Sequence, residues 1–149
     1  MHHRAILGVV LPGLVLLAGC HDPTDHEKQR VIGVLDLVGA NPPAIVAPPE
    51  VAAGRRFTVT VYTWGNSDCT LADGGSMTVS GELVRLVPYD IIPIPGHSDV
   101  CRDDWTAHAH PFGITLTLPG TARLRVVGRR AARAEDSLDS LEVTVAVTP

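Results

Sequence analysis

The chain has 149 residues, 45% hydrophobic, 19% charged and 4% aromatic, with 14 glycines, 12 prolines and 3 cysteines, a composition that fits one globular domain and excludes a disordered or collagenous chain. Twelve basic against 16 acidic residues leave a formal charge of -4, so nothing draws the chain as a whole to nucleic acid or anionic lipid. In chain order the first element is an uncharged, largely apolar run over residues 5–19, preceded by Arg4 and the amino terminus. As a helix it reaches about 22 Å, short of the ~30 Å hydrocarbon core that a spanning helix must cross. Its length and flanks predict a signal peptide over residues 1–19.

That run ends in Leu17-Ala18-Gly19-Cys20, which resembles the lipobox of bacterial lipoproteins. The resemblance implies cleavage before Cys20, a thioether-linked diacylglyceryl group on its sulfur and an acyl chain on the new amino group. A single acyl chain binds a membrane only marginally, whereas two or three make a durable anchor, at ~0.8 kcal/mol per buried methylene. The implied partner of Cys20 is a lipid bilayer, and the implied location is the bacterial cell envelope. His21 stands where lipoproteins retained in the inner membrane usually carry Asp, so in a cell with two membranes the outer one is favoured. Residues 20–30 then read as the lipidated Cys and a polar tether, roughly 17 Å long as a flexible coil. The folded domain is expected over 31–149.

With Cys20 lipidated, Cys69 and Cys101 remain in a compartment where disulfides form and persist, and they are expected to form one bridge. In the chain-entropy model so long a loop contributes about 3.7 kcal/mol. The competing reading, two ligands of a metal site, lacks the close Cys-x-x-Cys spacing that zinc sites use.

The folded part alternates with period two: Phe57, Val59 and Val61 against Thr58 and Thr60; Ile114, Leu116 and Leu118 against Thr115 and Thr117; Ala122, Leu124 and Val126 against Arg123 and Arg125; Leu141, Val143, Val145 and Val147 against Glu142 and Thr144. Such segments bury one face and wet the other, as strands of an antiparallel sheet do. Shorter runs at 31–38, 44–51, 76–80 and 83–88 bring the total to seven or eight strands, with helix signals nearly absent. The predicted fold is an all-β, two-sheet antiparallel sandwich. The stretch Pro49-Glu50-Val51-Ala52-Ala53-Gly54-Arg55-Arg56-Phe57-Thr58-Val59-Thr60-Val61 is similar to the opening of many bacterial immunoglobulin-like domains, as is Pro119-Gly120-Thr121-Ala122-Arg123-Leu124-Arg125-Val126-Val127-Gly128. The resemblance implies an immunoglobulin-like sandwich, a scaffold compatible with many binding and spacer roles. Cys69 follows its strand instead of lying within it, which argues against a core disulfide between the sheets.

If successive strands alternate in direction, the long connections 65–75, 89–112 and 129–140 fall at one end of the sandwich. There they collect Trp64, Cys69, Asp73, Cys101, Trp105, the histidines and the arginines from Arg129 to Arg133. If 31–38 is itself a strand, the tether enters at the opposite end. Within Asp103-Asp104-Trp105-Thr106-Ala107-His108-Ala109-His110, an extended backbone puts His108 and His110 on one side, where neutral imidazoles can share a zinc or copper ion with a third ligand from His97, Asp103 or Asp104. The alternative is a polar loop whose histidines bond their neighbours. His21 and His26 lie in the tether. Trp64 and Trp105 flank the expected bridge, as a platform for a sugar or peptide or as packing over the disulfide. Arg123, Arg125, Arg129, Arg130 and Arg133 form a basic strip suited to phosphate or an acidic partner, but Glu135, Asp136, Asp139 and Glu142 follow on the returning hairpin arm and are expected to pair with it across strands.

Enzyme signatures are missing: no His-Glu-x-x-His, no Gly-x-Ser-x-Gly, no phosphate-binding glycine loop and no Ser-x-x-Lys. Gly96-His97-Ser98-Asp99 reads as a turn, since adjacent residues cannot usually aim at one another as a triad does. The sequence therefore points to a non-catalytic envelope module without a cofactor. It would bind an envelope protein or glycan through Trp64, Trp105, Arg129, Arg130 and Arg133. Two alternatives stay open: a copper- or zinc-binding protein using His97, His108 and His110, and a structural spacer.

Overall fold

The computed structural model describes residues 28–35, 41–94, 101–102, 104–130 and 137–149; the signal segment, Cys20 and the tether histidines lie outside them. Strands β1 (Lys28–Ile32), β2 (Val34–Leu35), β3 (Ile45–Val46), β4 (Glu50–Ala52), β5 (Arg56–Asn66), β6 (Leu71–Ser80), β7 (Leu83–Pro93), β8 (Trp105–Thr115), β9 (Gly120–Arg130) and β10 (Leu138–Thr148) form two sheets, with no helix among the described residues. The smaller sheet has the order β3-β5-β8. In the larger one, β7 is flanked by β6 on one side and by β9 and then β1 on the other, while β10 and β4 continue beyond β9.

The alternation read from the sequence is what fills the space between the sheets. Val59 and Val61 of β5 and Phe112 and Ile114 of β8 pack with Val84 and Leu86 of β7, Leu124 and Val126 of β9, and Val145 and Val147 of β10, all buried. Their threonine and arginine neighbours point outward, and β-branched side chains suit both faces of the pleat. The two-sheet sandwich is as expected. Five of the pairings are antiparallel, whereas β2–β9, β4–β10 and β7–β9 are parallel. A parallel pair joins strands distant in sequence, and no local alternation reveals it.

The N-terminal segment is where structure and sequence reading part. Lys28, Gln29 and Arg30, expected in a tether, form a strand against β7. Arg30 stacks 4.1 Å from the Tyr89 ring centroid and forms an ion pair with Asp73, so polar side chains carry this strand without an apolar period. The extra strand also reverses the point of entry. Lys28 pairs with Pro93, at the end where β5, β7 and β9 finish and β6, β8 and β10 begin, not at the opposite end.

After β1 the chain wedges between β7 and β9 where these separate. The Gly33 N–H donates to the Pro88 carbonyl (3.0 Å), and the Arg129 N–H donates to the Gly33 carbonyl (2.8 Å). Its Cα lies so close to the smaller sheet that a Cβ would overlap Thr63 Cγ2 and come within 2.8 Å of Asp90 Oδ2. Leu35 follows into the core with no exposed surface. Gly33→Ala therefore has to displace buried atoms, and a loss of about 1–3 kcal/mol is expected in urea unfolding, against less than about 0.5 kcal/mol for Thr144→Ala on the exposed face of β10.

Candidate functional site

The residues singled out in the sequence sit near one end of the sandwich but do not form one surface. Register puts Asn66 opposite Trp105 and Trp64 opposite Ala107, so both indoles lie on the outer face of the smaller sheet. Trp105 is 51% exposed, while the Trp64 Nε1 is enclosed without a hydrogen-bond partner. Neither indole fills the core. Arg129 belongs to the other sheet and donates from Nε to the Ile32 carbonyl at 2.6 Å. Arg130 pairs with Asp139 at 2.7 Å, and Arg123 and Arg125 both meet Glu142. The basic strip is thus largely matched across the β9–β10 hairpin, as cross-strand pairing on a solvated face predicts. Arg133, Glu135 and Asp136 lie outside the described residues.

Cys69 and Cys101 are joined, with Cα atoms 5.7 Å apart. The bridge ties the turn after β5 to the segment before β8, two strands paired in the same sheet, so it does not cross the core. Polar contacts lace the same two segments together. Asn66 donates from Nδ2 to the Arg102 carbonyl (2.6 Å), Ser67 donates from Oγ to Asp104 Oδ1 (2.9 Å), and Arg102 Nε meets Asp68 Oδ2 at 3.1 Å.

His108 and His110 do share one side of β8, as an extended backbone requires, and that side is the inner one. His110 is fully engaged there. Its Nδ1 lies 2.8 Å from the Gly74 carbonyl, which can only accept, so Nδ1 carries a proton and donates it. Its Nε2 lies 2.9 Å from Thr63 Oγ1 and 3.1 Å from Asp90 Oδ1, and the Thr63 hydroxyl donates to the same Oδ1 at 3.0 Å. Neither ring nitrogen is left for a metal. His97 and Asp103 lie outside the described residues, and no group of three potential metal ligands occurs among the described ones. His108 Nε2 is enclosed and has no partner.

Thr63, Asp90 and His110 combine residue types found in hydrolytic sites, but their geometry is that of a staple. In a nucleophile–base–acid relay the imidazole bridges hydroxyl and carboxylate through different nitrogens; here both oxygens meet Nε2. The three residues are 0%, 1% and 1% exposed, so no substrate reaches them. Thr63 and His110 come from the smaller sheet, Asp90 and Gly74 from the larger, and the network therefore bonds one sheet to the other. Sequence reading passed over Thr63 and Asp90. The available signal was that each interrupts an inward row, Phe57-Val59-Val61 in one case and Val84-Leu86 in the other.

Gly96-His97-Ser98-Asp99 lies outside the described residues. The surface of the described residues includes two depressions. One of about 60 Å³ is lined by Val79, Leu116, Leu118 and Val147 at the end remote from the disulfide, and a shallower one of about 340 Å³ lies over Leu83, Arg85, Arg125 and Leu138 on the outer face of the larger sheet. No family model, curated protein or solved structure matches the chain.

Asp90→Ala removes the buried carboxylate that Thr63 Oγ1 and His110 Nε2 share. It should lower stability by about 1–3 kcal/mol, measured by urea unfolding with the Cys69–Cys101 bridge intact. A loss under about 1 kcal/mol would show that the network contributes little.

Proposed function

We propose that the protein is an envelope lipoprotein whose sandwich is a non-catalytic binding or accessory module, held with its loop-bearing end toward the bilayer. The anchor reading rests on Leu17-Ala18-Gly19-Cys20 at the end of an apolar run too short to span. The observation that carries the orientation is the pairing of Lys28 with Pro93. Seven residues lie between Cys20 and Lys28, and the eight Cα–Cα steps they span reach at most about 28 Å. The Cys69–Cys101 bridge and Trp105 then work close to the membrane. A module held there suits a partner that itself sits at the envelope, such as a membrane-bound protein or glycan.

Cys20→Ser is expected to release the protein from membranes, and the wild-type chain should have the mass of residues 20–149 plus acyl groups. Retention of the variant would refute the anchor. Orientation has its own test. Eleven-residue strands separate the two ends by about 36 Å, so a fluorophore at Arg102→Cys should transfer energy to a membrane-surface dye several-fold more efficiently than one at Leu118→Cys. Equal or reversed efficiencies would overturn the orientation while leaving the anchor standing.

A further inference from the structure

Sheet edges invite pairing by other chains unless something blocks them, and most edges of this sandwich carry such a block. The β3 and β4 edges are short and bracketed by Pro42, Pro43, Pro48 and Pro49. The β8 edge contains Pro111, which has no N–H to offer. Along β1 stand Lys28 and Arg30. The edge of β6 differs. Residues 76–80, Ser-Met-Thr-Val-Ser, hold no charge and no proline, and the lone acidic residue of the strand, Asp73, is held by Arg30.

The same five residues carry unused apolar surface. Met77 lies opposite Leu86 and Val79 opposite Val84, so both share the inner face of the larger sheet with core residues. Yet they are 43% and 49% exposed, because the smaller, three-stranded sheet does not extend over them. Ser76, Thr78 and Ser80 alternate with them and face outward. Val79 also lines the small apolar cavity, beside Leu118, which is exposed in its turn.

We infer that β6 pairs with the β6 of a second copy of this chain, antiparallel about a twofold axis at Thr78. The pattern is self-complementary, as a twofold interface demands. With Thr78 on the axis, Met77 meets the partner's Val79 on the inner face and Ser76 meets the partner's Ser80 on the outer one. Hydroxyl pairs and apolar pairs both stabilise neighbouring strands. A shift by one residue would set Met77 against a hydroxyl on the wrong face, so the alternation rejects odd shifts; of the even ones, an axis at Thr78 is the one that pairs both apolar side chains of residues 76–80 with each other. No like charges are brought together within residues 76–80. The two larger sheets become one continuous sheet, and the exposed methionine and valine side chains gain cover. This pairing is independent of the lipid anchor.

The test is crosslinking of a Thr78→Cys chain, in membranes and after extraction into detergent, under mild oxidation. Directly opposed residues have Cα atoms 4.5–5.5 Å apart, within the span of a disulfide. A covalent dimer is expected at a yield at least tenfold above that of Thr144→Cys on the exposed face of β10, with mass spectrometry locating the link between the two substituted positions. Adding Met77→Lys, an exposed substitution that keeps the sandwich and the Cys69–Cys101 bridge, should cut the yield at least tenfold. Sedimentation of the unsubstituted chain should give twice the monomer mass and the Met77→Lys chain the monomer mass. Yields no higher than the Thr144→Cys control, yields indifferent to Met77→Lys, or a crosslink to a different protein would each overturn the pairing with a second copy.

Discussion

The hydrogen-bonded cluster of Thr63, Asp90 and His110 is the constraint around which the sandwich is organised. Hydrophobic packing between two sheets is non-directional and leaves them free to slide or rotate over each other. A buried carboxylate, imidazole and hydroxyl tolerate no such freedom, because each unmade bond leaves a desolvated polar group. His110 reaches the larger sheet twice, at the Gly74 carbonyl through Nδ1 and at Asp90 through Nε2. The network consequently sets the relative position of β5 and β8 above β6 and β7. Its members would stabilise less than well-packed aliphatic residues of equal volume if only area counted; what they add is a single permitted arrangement.

The N-terminal segment fits the same centre. Gly33 can lie against Thr63 and Asp90 because it has no Cβ, and its backbone completes the hydrogen bonds that β7 and β9 cease to exchange as they diverge. From there the chain runs back along β1 to the end that carries the disulfide. Where the sandwich faces relative to any N-terminal attachment thus depends on five residues, Lys28–Ile32, only two of which are apolar. Their strand is held by main-chain pairing with β7 and by Arg30 against Tyr89 and Asp73, interactions whose partners lie more than forty residues away.

The candidate site was legible in part. Period two correctly put His108 and His110 on one side, and the acidic residues after the arginine strip correctly announced cross-strand pairing, seen for Arg123, Arg125 and Arg130. The single bridge between Cys69 and Cys101 was legible from cysteine count and expected compartment. Identity of side, however, does not say which side is buried or who waits across the gap. Loop parity placed Trp64, Trp105, Arg129 and Arg130 at one end, where they lie, but parity assigns ends only, while faces depend on which sheet each strand joins, so the indoles and the arginines belong to different sheets.

By itself the sequence determined the inward rows of β5, β9 and β10 and the two-sheet class, since alternation and turn residues are local properties that each segment carries with it, whereas most of β1 and the first halves of β6 and β8 were read as tether and connections. Tertiary structure alone decided the parallel pairings, the end at which β1 enters, the β6 edge that no other described strand covers and the sealing of His110 with Thr63 and Asp90. All of these depend on contacts between residues far apart in the chain, and no local pattern encodes a distant partner.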